Sequence, residues 1–342
     1  MIGIRPFDVL IFGDGKPFNA EERVFRESGF FINPIPVVSG LNKVTGKKLN
    51  LEFISIAKGE NLYFKAPIDI KAVKDGKDGN NRVIKPVVSK LDNVITEENL
   101  EYFLDYQTSE KMEDLNGYLK DEEYIKYLKD EEISLNTELL RPHKELRTGI
   151  EIDRSTRTTK EGHLFTQTFI RFEEDVYFYV KPSEDLNIDT VIVGGESKLS
   201  VVIKKDRDLT ERLLKEKENI KSIVRKTGFF KLILLSPTNK VLEIEGAKII
   251  AKVLGKPFIY SSWIKLPNDT TGFPTRIFRL IPEGSVVYYK VEDQNKIDEI
   301  FDKYYLKPAY YELEYPYFDI KNPTGFGLSI IGALNLNKGG QG

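Results

Sequence analysis

Seven basic side chains crowd residues 141–171: Arg141, Lys144, Arg147, Arg154, Arg157, Lys160 and Arg171. Four acids oppose them, Glu145, Glu151, Asp153 and Glu161. Hydroxyls are interleaved at Thr148, Ser155, Thr156, Thr158, Thr159, Thr166 and Thr168. Cationic side chains neutralise phosphates, while short hydroxyls and backbone N–H groups fix register along a strand, so this pattern points to polyanion binding. The segment 153–162 reads as the polar tip of a hairpin between strands expected at 146–152 and 163–172. The tip would carry Arg154, Arg157 and Lys160 on a projection able to lie along a single nucleic-acid strand. A solvated hairpin loop with no ligand has the same composition.

Two glycine-bearing stretches extend the theme. Gly194-Gly-Glu-Ser-Lys198 lies between the apolar runs Val191–Val193 and Leu199–Ile203. Paired glycines permit a bulge that aims Ser197 and Lys198 at a phosphate, or an ordinary hairpin turn. Near the C-terminus, Gly325, Phe326 and Gly327 open a segment running to Gly332, after Asn322-Pro323. Glycine there lets backbone N–H groups approach a phosphate, or makes a tight turn ahead of a last core strand. Lys16, behind Gly13-Asp-Gly15, is a further candidate cation.

Catalytic constellations are missing. The two histidines, His143 and His163, stand in no metal-ligand spacing. The chain holds neither Gly-x-Ser-x-Gly nor a phosphate-loop motif, since Gly13-Asp-Gly-Lys16 is too short. With no cysteine, disulfides and thiolate metal sites are excluded. The expectation is no catalytic residue, no metal and no cofactor.

The elements that must position these groups read as α+β. Strands are expected at 5–12, 50–56, 61–70, 146–152, 163–172, 175–181, 189–193, 198–204, 229–235, 284–292 and 326–334. Helices are expected from Pro34 and at 97–132, 208–226, 246–254 and 296–304. The 342 residues suit two domains, and the best boundary is near 205. No run of eighteen apolar residues is present, and the N-terminus lacks the regions of a signal peptide, so the expected setting is cytoplasmic. The net charge of −2 hides a segregation. Residues 97–138 carry fourteen acids against four lysines, which leaves the rest of the chain at +8 and able to attract polyanions.

In order along the chain, several segments resemble one family. They are Arg5-Pro-Phe-Asp-Val-Leu-Ile-Phe12 with Lys16-Pro-Phe-Asn-Ala20; Thr148-Gly-Ile-Glu-Ile-Asp-Arg-Ser-Thr-Arg157 with Glu161-Gly-His-Leu-Phe-Thr166; Gly194–Lys198; Ile281-Pro-Glu-Gly-Ser-Val286; and Gly325-Phe-Gly-Leu-Ser329. Together they resemble the CRISPR RAMP superfamily, and most nearly the subunit type that binds the crRNA 5′ tag in Cmr (type III-B) effector complexes. The resemblance implies two ferredoxin-like (RRM-like) RAMP domains, 1–205 with a helical acidic insert near 97–138, and 206–342 ending in the glycine-rich loop. It implies a non-catalytic scaffold that holds the 5′ tag of crRNA. Its protein partners would be the large polymerase-like Cmr subunit and a backbone RAMP subunit. The implied RNA contacts are Lys16, Arg154, Arg157, Lys160, Ser197, Lys198, Gly325, Phe326 and Gly327. Two alternatives stay open. One is a RAMP-family metal-independent endoribonuclease using histidine as acid/base, although such enzymes commonly place it near the first strand and none precedes His143 here. The other is a metabolic α+β enzyme with a phosphate-bearing substrate.

Overall fold

The computed structural model describes residues 1–12, 25–26, 30, 32–74, 81–90, 102–134, 139–153, 155–260, 263–264, 273–274, 277–308 and 325–335. Lys16 and Arg154 lie outside them. The architecture is α+β, with most of the described chain in antiparallel strands and four α-helices.

The first sheet has seven strands in the order 118–120, 61–65, 51–58, 176–182, 2–6, 199–204, 190–192. Side chains alternate across it, as a pleated strand requires. Ile54, Ile56, Phe178, Val180, Ile2 and Ile4 face one core, beneath helix α1 (Pro34–Thr45). Phe53, Ala57, Phe64, Tyr177 and Tyr179 face the other. Local signals set α1. Asn33 Oδ1 accepts from Ile35 N at 3.1 Å, Pro34 takes the first turn, and Gly46 ends the helix at φ 66°.

The second sheet has five strands in the order 247–253, 286–291, 229–234, 328–333, 307–308. Helices α3 (Glu211–Thr227) and α4 (Ile297–Tyr304) cover one side, burying Leu213, Ile220 and Val224 and Ile297, Ile300, Phe301 and Tyr304 at helical spacing. Helix α2 (Asp121–Leu128) belongs to the chain's first half but joins this core through Tyr124, Tyr127 and Leu128. Gly332 makes room for it, because a Cβ there would stand 3.3 Å from Leu128 Cα. The strands divide near residue 205 while one hydrophobic cluster runs through both sheets.

Two helix expectations give way to strands. Residues 247–253 pair with 286–291, because the β-branched run Ile249-Ile250…Val253 fits a pleat and a short apolar run does not fix a period by itself. Within the acidic stretch, Tyr102–Asp105, Met112–Asp114 and Tyr118–Lys120 are strands and only Asp121–Leu128 is helical. Three carboxylates in its first turn favour that helix start. The expected strand 5–12 also divides. Ile2–Pro6 stays in the first sheet, and Val9–Leu10 leaves it to pair with Ile170 and Arg171.

Candidate nucleic-acid interface

His143–Ile152 and Thr159–Arg171 form the long central hairpin, in register from His143↔Arg171 to Ile150↔Leu164. Its thirteen-residue return strand spans roughly 40 Å at ~3.3 Å per residue. Gly149 lies opposite Phe165, and a Cβ there would meet the ring at 2.4 Å, so the glycine lets an aromatic lie across the ribbon.

The tip is built, not slack. Asp153 Oδ1 accepts from Ser155 N at 2.7 Å, Ser155 Oγ at 2.5 Å and Thr156 N at 3.3 Å. Arg157 N donates to Asp153 O at 2.8 Å, and the Arg157 backbone takes φ 57°. These donors hold the Asp153 carboxyl below its ordinary range, the Ser155 hydroxyl foremost. The Arg157 side chain is exposed at the apex and makes no ion pair among the described residues. Lys160 stands 3.4 Å from Glu151 in an exposed pair worth little in water.

At the root, two arginines that look like phosphate ligands in sequence are committed elsewhere. Arg147 meets Asp8 at 2.9 Å and Glu145 at 2.7 Å, and Arg171 meets Asp8 at 2.9 Å and Glu145 at 2.5 Å. This closed square ties the first strand to the hairpin. Its hydrogen bonds hold both carboxyls low, Arg147 foremost for Asp8 and Arg171 foremost for Glu145.

The glycine-pair loop docks beside this root. Gly194 has φ 80°, and a Cβ on it would fall 2.6 Å from Ile11 O. Gly195 N donates to that oxygen at 3.0 Å. Glu196 and Ser197 both take left-handed backbone, φ 56° and 51°, and Val193 N closes the turn on Lys198 O at 3.0 Å. Lys198 Nζ lies 5.1 Å from the ring centre of Phe169 on the hairpin and 3.5 Å from Glu196. Thus the glycine-pair loop with Ser197 and Lys198, the hairpin root and the segment Val9–Ile11 come together in space. The opposite face of the hairpin exposes Leu146, Ile150, Ile152 and Leu164, each about half exposed or more.

The terminal loop stands apart from this group. Gly325, at φ 88°, packs against Pro34 and Leu51, and Phe326 is only 2% exposed. Ser236 Oγ donates to Gly325 O at 2.8 Å and accepts from Leu328 N at 2.8 Å, while Gly327 N donates to Pro237 O at 2.8 Å. The resemblance implies RNA contacts at Gly325, Phe326 and Gly327, and this geometry offers neither the Phe326 ring nor the Gly327 N–H to one. The ring is core, and that N–H is already bonded.

Sequence reasoning also missed a buried polar seam. Glu283, within the Ile281–Val286 motif, accepts from Tyr118 Oη at 2.5 Å and Ile32 N at 3.2 Å. Asp69 Oδ2 accepts from Tyr127 and Tyr288, and Lys231 Nζ lies 3.5 Å from the ring centre of Tyr127. Acid, base and hydroxyls come from both halves of the chain, at separations no local pattern reports. Among the described residues no group of three His, Asp or Glu could hold a metal ion, and no helix is long and apolar enough to cross a membrane.

Comparison with known proteins gives one family match. The family described as CRISPR-associated protein (Cas_Cmr3) matches residues 44–334. No curated protein matches in sequence. Among solved structures, a chain of type III-B Cmr-beta bound to cognate target RNA and AMPPnP is similar at 14% identity. The match covers 88% of both chains with a TM-score of 0.44. A chain of the same assembly bound to cognate target RNA is similar at 15% identity, covering 88% of this chain and 89% of that one, with a TM-score of 0.45.

Proposed function

This chain belongs to the Cas_Cmr3 family of CRISPR-associated proteins, and from that membership we propose that it is a non-catalytic, RNA-binding scaffold of a cytoplasmic type III-B Cmr ribonucleoprotein. It holds the 5′ tag of crRNA and docks the large polymerase-like subunit and a backbone RAMP subunit. The observation that carries the RNA part is the meeting of Lys198, Ser197 and the hairpin root, with Arg157 exposed at the far tip. RNA would run from the glycine-pair loop along the hairpin to Lys160 and Arg157, and Lys16 and Arg154 remain proposed contacts outside the described residues. The aliphatic face of the same hairpin is the surface for a protein neighbour, since exposed apolar clusters mark such contacts.

The fold reading has similar support. Counting 2–6, 51–58, 176–182 and 199–204 as strands one to four, the first sheet contains the order 4-1-3-2. Counting 229–234, 247–253, 286–291 and 328–333 in the same way, so does the second. We read these as two ferredoxin-like units, 1–205 and 206–342. The first keeps only the helix after its first strand and the second only the helix after its third.

The test is retention of RNA bearing the 5′ tag, followed by salt titration. Wild-type affinity falls as salt rises. Lys198→Glu or Arg157→Glu weakens retention and flattens the log–log slope by about 0.7 for each phosphate the variant no longer neutralises. Tag RNA retained equally by wild type and both variants would remove the proposed track. Cleavage of repeat RNA without metal would favour the endoribonuclease.

A further inference from the structure

Asn116-Gly117 is the one Asn-Gly pair in the chain. Asparagine is among the thermolabile residue types, and it is most labile before glycine, where no Cβ hinders the following backbone nitrogen from attacking the side-chain amide. Packing demands the glycine here. A Cβ on Gly117 would fall 2.8 Å from Leu139 Cβ and 3.3 Å from Leu140 O. Asn116 itself is exposed. Neither its side chain nor Gly117 N makes a hydrogen bond among the described residues.

The neighbours hold the rest of the pair. Arg141 Nε donates to Asn116 O at 2.6 Å. Gly117 O accepts from Ala66 N at 3.0 Å, and Tyr118 exchanges backbone bonds with Leu140 at 2.9 and 3.0 Å. The Tyr118 hydroxyl donates to Glu283 Oε1 at 2.5 Å in the buried seam. Asn116 O and Gly117 N belong to one peptide unit. When that N–H gives up its proton, charge spreads onto the oxygen, and the cationic donor already beside it stabilises that charge. Ring closure turns the same C=O into one of two imide carbonyls, and the donor marks it for attack by water.

We propose that Asn116-Gly117 is a self-modifying site and that Arg141 drives it toward isoaspartate. Water takes the Gly117 N–H proton, the nitrogen bonds to Asn116 Cγ, and the side-chain nitrogen picks up a proton and leaves as ammonia. Water then opens the cyclic imide. Attack at the main-chain carbonyl, the one Arg141 polarises, breaks its bond to Gly117 N and leaves the chain running through the former side chain. The backbone is then longer by a carbon. Gly117 shifts against Ala66, Tyr118 shifts against Leu140, and the hold of Tyr118 on Glu283 loosens. Attack at the other carbonyl gives ordinary aspartate in an unchanged backbone.

Incubation of the full chain at pH 7 and pH 9, followed by tryptic mapping of Met112–Lys120, tests the proposal. In wild type this peptide should turn from amide to acid, faster at the higher pH, with isoaspartate exceeding aspartate. Asn116→Gln should keep its amide, since a larger ring closes slowly. Arg141→Ala should slow conversion about fivefold and shift the products toward aspartate. A turn merely loosened by the loss of Arg141 would convert faster, so the direction of the change separates activation from restraint. Aged wild type should unfold at lower urea than fresh protein, whereas Asn116→Asp, which carries the ordinary product, should match the fresh chain. An amide that persists in the folded chain while the free peptide 112–120 converts overturns the site. Conversion in Arg141→Ala as fast as in wild type overturns the part given to Arg141.

Discussion

Phe326 and Ser236 show how a residue's type can suggest one role while its neighbours assign another. Phe326 sits between two glycines in a loop whose sequence points to RNA, yet it is buried, and Gly325 before it packs against Pro34 at the start of α1. Phe326→Ala should therefore cost about 3–5 kcal/mol in denaturant unfolding, the range for an emptied aromatic core site. Ser236→Ala should cost about 1–3 kcal/mol, because one hydroxyl satisfies both Gly325 O and Leu328 N. In variants that remain folded, tag-RNA affinity should hold. A tenfold loss of affinity from Phe326→Ala without loss of stability would return the ring to the RNA. The same logic explains what was legible. The Gly194-Gly195 pair announced a backbone other residues resist, and the structure shows the reason in the 2.6 Å approach to Ile11 O. Asp8 announced nothing, because its two arginines lie 139 and 163 residues away.

At the scale of elements, periodicity succeeded where local signals were redundant. Helices α1, α3 and α4 each bury residues at helical spacing, and α1 carries a cap at both ends. It failed at 247–253, where pairing with 286–291 decides the conformation, and across the acidic stretch, where edge strands alternate with one short helix. The hairpin tip belongs with the successes, since Asp153 and its following hydroxyls are turn formers by chemistry. Asp153→Ala removes three hydrogen bonds from one carboxylate oxygen and leaves the turn with the backbone bonds between Asp153 and Arg157 and Thr158 alone. Amide exchange at Ser155 and Thr156 should accelerate sharply, with the melting temperature of the whole chain little changed. If the Arg157 track is right, tag-RNA affinity falls by several-fold through lost preorganisation. Unchanged exchange at the tip would show that the turn holds without its aspartate.

For the whole molecule, the controlling feature is the buried seam that joins the two sheets. Its register was invisible beforehand because Glu283, Tyr118 and Ile32, or Asp69, Tyr127 and Tyr288, meet only after both halves have folded. Burial pushes the Glu283 carboxyl up to about 7, against the pull of Tyr118 Oη, Lys65 and Ile32 N. The same desolvation pushes Lys231 down to about 8, against the attraction of Asp130 and Asp69. The signs follow from which state binds the proton. Between about 4.5 and 7 the folded chain keeps the Glu283 proton that the unfolded chain has released, so stability falls as pH rises through that window. Between about 8 and 10.5 the unfolded chain keeps the Lys231 proton that the folded chain has lost, so stability recovers. The Glu283 shift corresponds to roughly 3 kcal/mol. Glu283→Gln, which keeps the shape but cannot ionise, should flatten the decline between pH 4.5 and 7 and leave the alkaline recovery in place. Unfolding midpoints in urea across pH 4–10 measure both limbs. A Gln variant with the same acid-to-neutral slope as wild type would mean that Glu283 opens to water before it ionises, and that the seam is looser than its hydrogen bonds describe.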